Sequence, residues 1–256
     1  MGAIREIGIN IIGGAATVAI IDGFRFIRSK MRYRSFRVVF GDNFSTPDLI
    51  HLVYAQLSLM PVIDVKTREP LAHPFRKPGE ENSGTGFSID HPVNSSEVRA
   101  AKYLAETIGK ETKVSPALSA DLDLKGRLDI SFIAFGGPLS NFKSRDVLQN
   151  GGNNMVRFDN FKFIEADTGK EAITMEQGFD YGLILKIHPT QFPTRTWFAC
   201  AGIGEWGTSG AAWYLAKRWT EIYDFAKGFP FGLIVRVRPG QDESTEVVYQ
   251  VIQKDE

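Results

Sequence analysis

The run from Leu128 to Phe135, LDISFIAF, limits the fold more than any other segment of this chain. It is almost continuously apolar, the pattern of a strand covered on both faces in a parallel sheet. Such a strand needs helices packed on it, and the chain supplies them in alternation with further strands. His51 to Val62 reads as a strand ending at Pro61. Asn94-Ser-Ser-Glu97 has the spacing of a capping box, and Val98, Ala101, Leu104, Ala105 and Ile108 then keep the 3.6 period up to Gly109. A short polar helix is expected over Lys143 to Gln149, and a hairpin over Phe158 to Ile173 with Asp167-Thr-Gly169 at its turn. Tyr181 to Ile187 and Thr196 to Ile203 read as strands. One helix follows, with a stripe from Ala212 through Leu215, Ala216, Trp219, Ile222 and Tyr223 to Ala226 and a stop at Gly228. Phe231 to Val237 and Glu246 to Ile252 close the chain as an antiparallel pair. The expected class is α/β, with a Rossmann-like, mostly parallel sheet and an antiparallel C-terminal pair. At 256 residues and 43% hydrophobic the chain can bury such a core.

The amino-terminal part has a different character. From Ile7 to Ile27 the sequence IGINIIGGAATVAIIDGFRFI approaches the roughly 20 residues that a membrane span needs. Arg25, Arg28, Lys30, Arg32, Arg34 and Arg37 follow with no acid between them. Residues 1–40 hold seven Lys and Arg against two acids, although the whole chain carries 30 of each sign and no net charge. A basic collar after an apolar run predicts an uncleaved single-pass anchor with the rest of the chain in the cytoplasm, and anionic lipid as the partner of the collar. An interfacial or oligomerising helix, or a core helix, is the alternative. The expected organisation is an anchor and collar over 1–40 and one domain over 41–256. Between Pro61 and Pro92, prolines and glycines break some thirty residues into a stretch too long for a plain connector, read as a lid, a binding loop or a partly disordered segment.

Two glycine loops carry the functional reading. Each follows an apolar strand and precedes a helix, the place where open α/β sheets bind ligands. Free amides at a helix start hold phosphate or carboxylate, and glycine lets the backbone come close. Gly136, Gly137, Ser140 and Asn141 would form one wall, and Gly204, Trp206, Gly207, Thr208, Ser209 and Gly210 the other, with Trp206 placed to stack on a base. Turn formation and helix capping alone would also account for these residues. The pair FGGPLSN and GIGEWGTSGA resembles the loops of SLOG-type Rossmann-like domains, the group that includes the phosphoribohydrolases activating cytokinins. The resemblance implies that Gly136, Gly137, Ser140 and Asn141 and then Gly207, Thr208 and Ser209 hold the phosphate and sugar of a nucleotide. The hydrolytic members carry a Glu shortly after Gly-Thr, whereas Gly210, Ala211 and Ala212 stand here. Binding without turnover, as in the sensor branch of that group, is therefore the first expectation: a membrane-anchored cytosolic domain acting as a nucleotide-ligand sensor or effector.

An enzyme is the second, with Glu205 as the acid of N-glycosidic cleavage. A non-catalytic, membrane-associated interaction protein that forms homo-oligomers is the third. Gly207-Thr-Ser-Gly lacks a downstream His for a serine triad, since the last is His188. Asp121, Asp123 and Asp129 alternate with apolar residues, and the four histidines lack ligand spacing, so no metal and no cofactor are expected. The single Cys200, between alanines, reads as core. Nucleic acid is not expected as a partner.

Overall fold

The computed structural model describes residues 26–41, 50–57, 66, 92–159 and 161–253. The expected anchor up to residue 25 and most of the proline-rich stretch lie outside them. Among the described residues no helix is long and apolar enough to cross a membrane.

The molecule is α/β. Among the described residues its main sheet has seven strands, β1 (His51–Tyr54), β2 (Ala117–Ala120), β3 (Phe132–Phe135), β6 (Asp180–Ile187), β7 (Trp197–Gly202), β8 (Phe231–Arg238) and β9 (Gln241–Ile252), in the order β2-β1-β3-β7-β6-β8-β9. The strands β2, β1, β3 and β7 pair in parallel. From β7 onward, through β6, β8 and β9, every pairing is antiparallel. Five strands therefore point one way, with β6 and β9 reversed. The sheet is mixed, and the C-terminal pair is antiparallel as expected. A separate antiparallel hairpin pairs β4 (Val156–Asp159) with β5 (Lys162–Glu165), with Phe161 just before β5. The expected turn at Asp167-Thr-Gly169 is a second reversal, closed by Gly169 N–H donating to Glu165 O and bridging Ile164 to Glu171.

Alternation along the strands divides the core in two. Ile133, Phe135, Phe198, Cys200, Ile184, Leu233 and Val235 face one side. There they meet α1 (residues 26–40), α2 (Ser95–Thr112), α4 (Glu205–Lys217) and α5 (Trp219–Ala226). Phe132, Ala134, Trp197, Ala199, Leu183 and Leu185 face the other, covered by α3 (Phe142–Arg145), the π-turn Asp146–Asn150 and the β4–β5 hairpin. Cys200 is fully buried in this core, and burial pushes its thiol well up.

Three departures from the sequence reading have local causes. The single long helix expected after Gly204 is two, because Arg218 (φ −113°, ψ 19°) leaves the helical region and redirects α5. The two strands 180–187 and 197–202 form an antiparallel hairpin, so the parallel run stops at β7. The core also begins before residue 41, the expected domain start. Phe36, Val39 and Phe40 are at most 1% exposed, and the Phe40 and Phe36 rings meet Phe198 and Trp219 at centroid distances of 5.7 and 5.2 Å. The C-terminal turns of α1 thus belong to the folded domain.

α1 is fixed there by an unusual ion. Lys186 is 1% exposed, and its ammonium donates to Val38 O (3.1 Å) and Gly228 O (2.9 Å). Carbonyls at helix C-termini carry partial negative charge, which makes this burial tolerable. Desolvation still lowers the Lys186 pKa to about 8.

Candidate functional site

The chain leaves β1 and β7 toward helices α2 and α4 on one face of the sheet, and leaves β3 toward α3 on the other. That divergence at the carboxyl ends of adjacent parallel strands opens a crevice, the usual ligand position in open α/β sheets. A cleft of about 250 Å³ occupies it. Its walls are the N-terminus of α2 (Asn94, Ser96, Glu97), the loop after β3 (Gly136 to Ser140), the loop after β7 (Gly202 to Glu205, with Thr208) and the rings of Phe158 and Phe161. The two glycine loops singled out in the sequence do meet.

Not every residue in them faces the cleft. Gly136, Gly137, Ser140, Gly204, Glu205 and Thr208 line it. Asn141 is fully buried beside it, donating from Nδ2 to Phe135 O (2.8 Å) and Val53 O (3.1 Å) while its Oδ1 accepts from Lys143 N and Ser144 N. It ties β1 to β3 and caps α3, with its hydrogen-bonding capacity used internally. Gly207 is a packing glycine: a Cβ there would lie 2.0 Å from Tyr181 O, so α4 can rest on β6 only without one. Gly210 is likewise pressed against Val237 and Thr245. Ser209 donates to Asp242 Oδ1 (2.6 Å) in a buried network that Tyr103 joins through Asp242 Oδ2 (2.9 Å). Trp206, the expected base-stacking residue, carries the Arg99 guanidinium 4.2 Å over its ring instead.

The electrostatics differ from those of a phosphate cradle. Asp180 accepts from Gly204 N (3.0 Å, Oδ1) and Gly207 N (2.8 Å, Oδ2), so the protein supplies its own anion at the start of α4. Asn94 caps α2 through Ser96 N, and Asp121 Oδ2 accepts from Phe142 N at the start of α3. Among the described lining residues there is no Lys, Arg or His, and there are two acids, Glu97 and Glu205. Arg145 reaches the loop only from behind, donating from Nε to Pro138 O (3.1 Å).

Glu97 is the residue that sequence reasoning missed. Its spacing to Asn94 fits a capping box, but the carboxylate does not turn back to Asn94. Oε2 accepts instead from Ala55 N (2.6 Å), at the end of β1, and Oε1 lies toward the first glycine loop. A Cβ on Gly136 (φ +86°) would stand 2.6 Å from that Oε1. Glycine is thus required there twice, for its backbone and for the room it leaves the carboxyl group. The Glu97 side chain is 3% exposed yet lines the cleft. Burial pushes its pKa up to about 7, the Ala55 amide opposes this, and the nearby Asp121 adds to it. Glu205, the acid expected from sequence, is exposed on the first turn of α4.

Phe158 and Phe161 were read only as hairpin residues. Phe161 takes the αL conformation (φ 58°) at the turn and leaves its ring 61% exposed at the cleft. Among the described residues no group of three His, Cys, Asp or Glu gathers as metal ligands. Comparison with protein-family models, curated proteins and solved structures finds no match to this chain.

Proposed function

We propose that this chain is a binding module whose cleft takes the base and sugar portion of a nucleotide-like molecule, in the Rossmann-like manner, and that it acts as a sensor or effector held at a membrane by its N-terminal segment. The observation that carries the reading is the convergence of two glycine loops, an α-helix start, the exposed ring of Phe161 and the half-buried ring of Phe158 on one crevice at the carboxyl ends of β1, β3 and β7. The cleft volume, about 250 Å³, falls below the ~300–1,000 Å³ of sites that enclose a drug-sized ligand. It therefore accommodates part of a nucleotide. The acidic lining and the internally capped helix starts favour an uncharged portion, with any phosphate left outside.

Phe161 supplies a face on which a planar ring stacks, and Glu97, neutral up to its pKa of about 7, supplies a donor for a ring nitrogen or carbonyl. Catalysis by Glu205 gains no support from its exposed position. Calorimetric titration of the full chain with adenosine, AMP and inorganic phosphate tests the reading. Adenosine and AMP should bind with similar affinity and phosphate not at all, and Phe161→Ala should weaken both by roughly tenfold. Binding of phosphate alone, or of none of the three, would refute it.

A further inference from the structure

The helix α1 has a second face that the core does not use. Phe36, Val39 and Phe40 turn inward, whereas Phe26, Ile27 and Met31 are 70, 56 and 60% exposed. Ile27, Lys30, Met31, Tyr33, Arg34, Arg37 and Val38 line one continuous groove on the outer side, at the spacing of successive helical turns. Residues 26–40 include five Lys and Arg and no acid. Arg32 turns away to pair with Glu111 (2.6 Å), while Arg28, Lys30 and Arg34 remain exposed. Exposed apolar side chains interleaved with the exposed cations Arg28, Lys30 and Arg34 match an anionic bilayer surface. Headgroups meet the charges, and the acyl boundary takes the apolar groups.

The position of α1 in the fold sets the orientation. Arg32 bonds Glu111, in the last turn of α2, and its guanidinium sits 5.0 Å from the ring of Trp219, at the start of α5. Gly41 abuts Thr196, just before β7. Each contact lies at the end of the sheet opposite the cleft. Along α2 alone, Glu111 is sixteen residues from Ser95, or about 24 Å at 1.5 Å per residue.

We propose that the outer face of α1 lies on an anionic lipid surface and that the cleft consequently opens on the side of the domain facing away from it. This inference rests on the membrane attachment proposed above, through α1, and stands independently of what the cleft binds. The test places a fluorophore on full-length protein at Met31→Cys or at Leu139→Cys; Cys200 is buried and does not compete for label. Vesicles of phosphatidylcholine, alone or with phosphatidylglycerol, carry brominated acyl chains as quencher. The label at 31 should be quenched on the anionic vesicles and the label at 139 should not. Replacing Arg28, Lys30 and Arg34 together by Gln should weaken vesicle binding on the order of 100-fold at low salt. Several results would overturn the proposal: no quenching at 31 on protein bound to vesicles, quenching at 139, binding by the triple variant equal to wild type, or protection of the label at 31 by self-association or by duplex RNA without lipid.

Discussion

Glu97→Gln should stabilise the protein, and by an amount that depends on pH. In the unfolded chain the carboxyl ionises near its ordinary value of 4.5, whereas in the fold it holds its proton to about 7. Between those values the folded chain carries a proton that the unfolded chain has released. Stability contributed at this site is therefore fully present below 4.5 and is lost as pH rises through 7. The shift of about 2.5 units corresponds to about 3 kcal/mol at full ionisation, at 1.36 kcal/mol per unit. Glutamine reproduces the neutral acid in shape, keeps an acceptor for Ala55 N and never ionises. Urea unfolding of both proteins should give a difference of about 1 kcal/mol at pH 5 that grows to about 3 kcal/mol at pH 8, with Gln the more stable. Asp121 contributes to the upward shift, so Asp121→Asn should narrow that growth. A difference independent of pH, or a glutamine variant less stable at pH 8, would show that Glu97 is ionised and well solvated in the fold. A neutral donor in the cleft would then have no basis. A group that costs stability is common where a proposed binding role requires it.

Three further outcomes follow from the packing. Phe40→Ala, at a fully buried ring between α1 and β7, should cost about 3–5 kcal/mol in chemical denaturation, and a chain beginning at residue 41 should show no cooperative unfolding transition. Asp180→Ala removes the acceptor of two amides at the start of α4; the expected cost is about 1–2 kcal/mol, and inorganic phosphate should now raise the melting temperature where it leaves wild type unchanged. Lys186 has a folded pKa of about 8 against 10.5 unfolded, so wild-type stability should rise with pH between those values, by up to about 3 kcal/mol. Lys186→Met should remove that rise; a slope unchanged in the variant would assign it to another group.

What the sequence disclosed depended on the range of the interactions involved. The α2 helix, β3, β6, β8 and both glycine turns are set by local periodicity and by backbone constraint, and all were legible. The strand β2 was not, because Ala117–Ala120 is short and lies at the sheet edge, with Leu118 62% exposed. Strand direction at β6 and β7 was hidden because both are covered on two faces, and an apolar run reads alike in parallel and antiparallel sheets. The placement of the candidate residues was hidden where a partner distant in sequence claims the side chain. Asn141 bonds Val53 O across 88 residues, Trp206 meets Arg99, and Glu97 reaches Ala55 rather than its own cap. No pattern within a few residues of these positions records those claims. The aromatic pair was passed over for a different reason: nothing local says that the tip of a hairpin overhangs a crevice built by other strands.

The same long-range satisfaction decides what kind of ligand the crevice suits. Glycine loops before helices predict anion binding only if the amides there are still free and no acid stands behind them. In this chain Asn94, Asp121 and Asp180 each occupy a helix start, and Glu97 and Glu205 line the space between. An incoming phosphate would meet the Glu205 carboxylate, joined by Glu97 once it ionises near pH 7, and no cation among the described lining residues. Coulomb repulsion at ~4 Å is about 4 kcal/mol per pair at an effective dielectric of 20, enough to cancel the gain from any one amide contact. On the reading proposed above, a neutral ring would escape that repulsion, stack on Phe161 and accept from Glu97 while the acid keeps its proton. Affinity for such a ligand should therefore fall as pH rises through 7, opposite to the behaviour of a site that binds through a carboxylate.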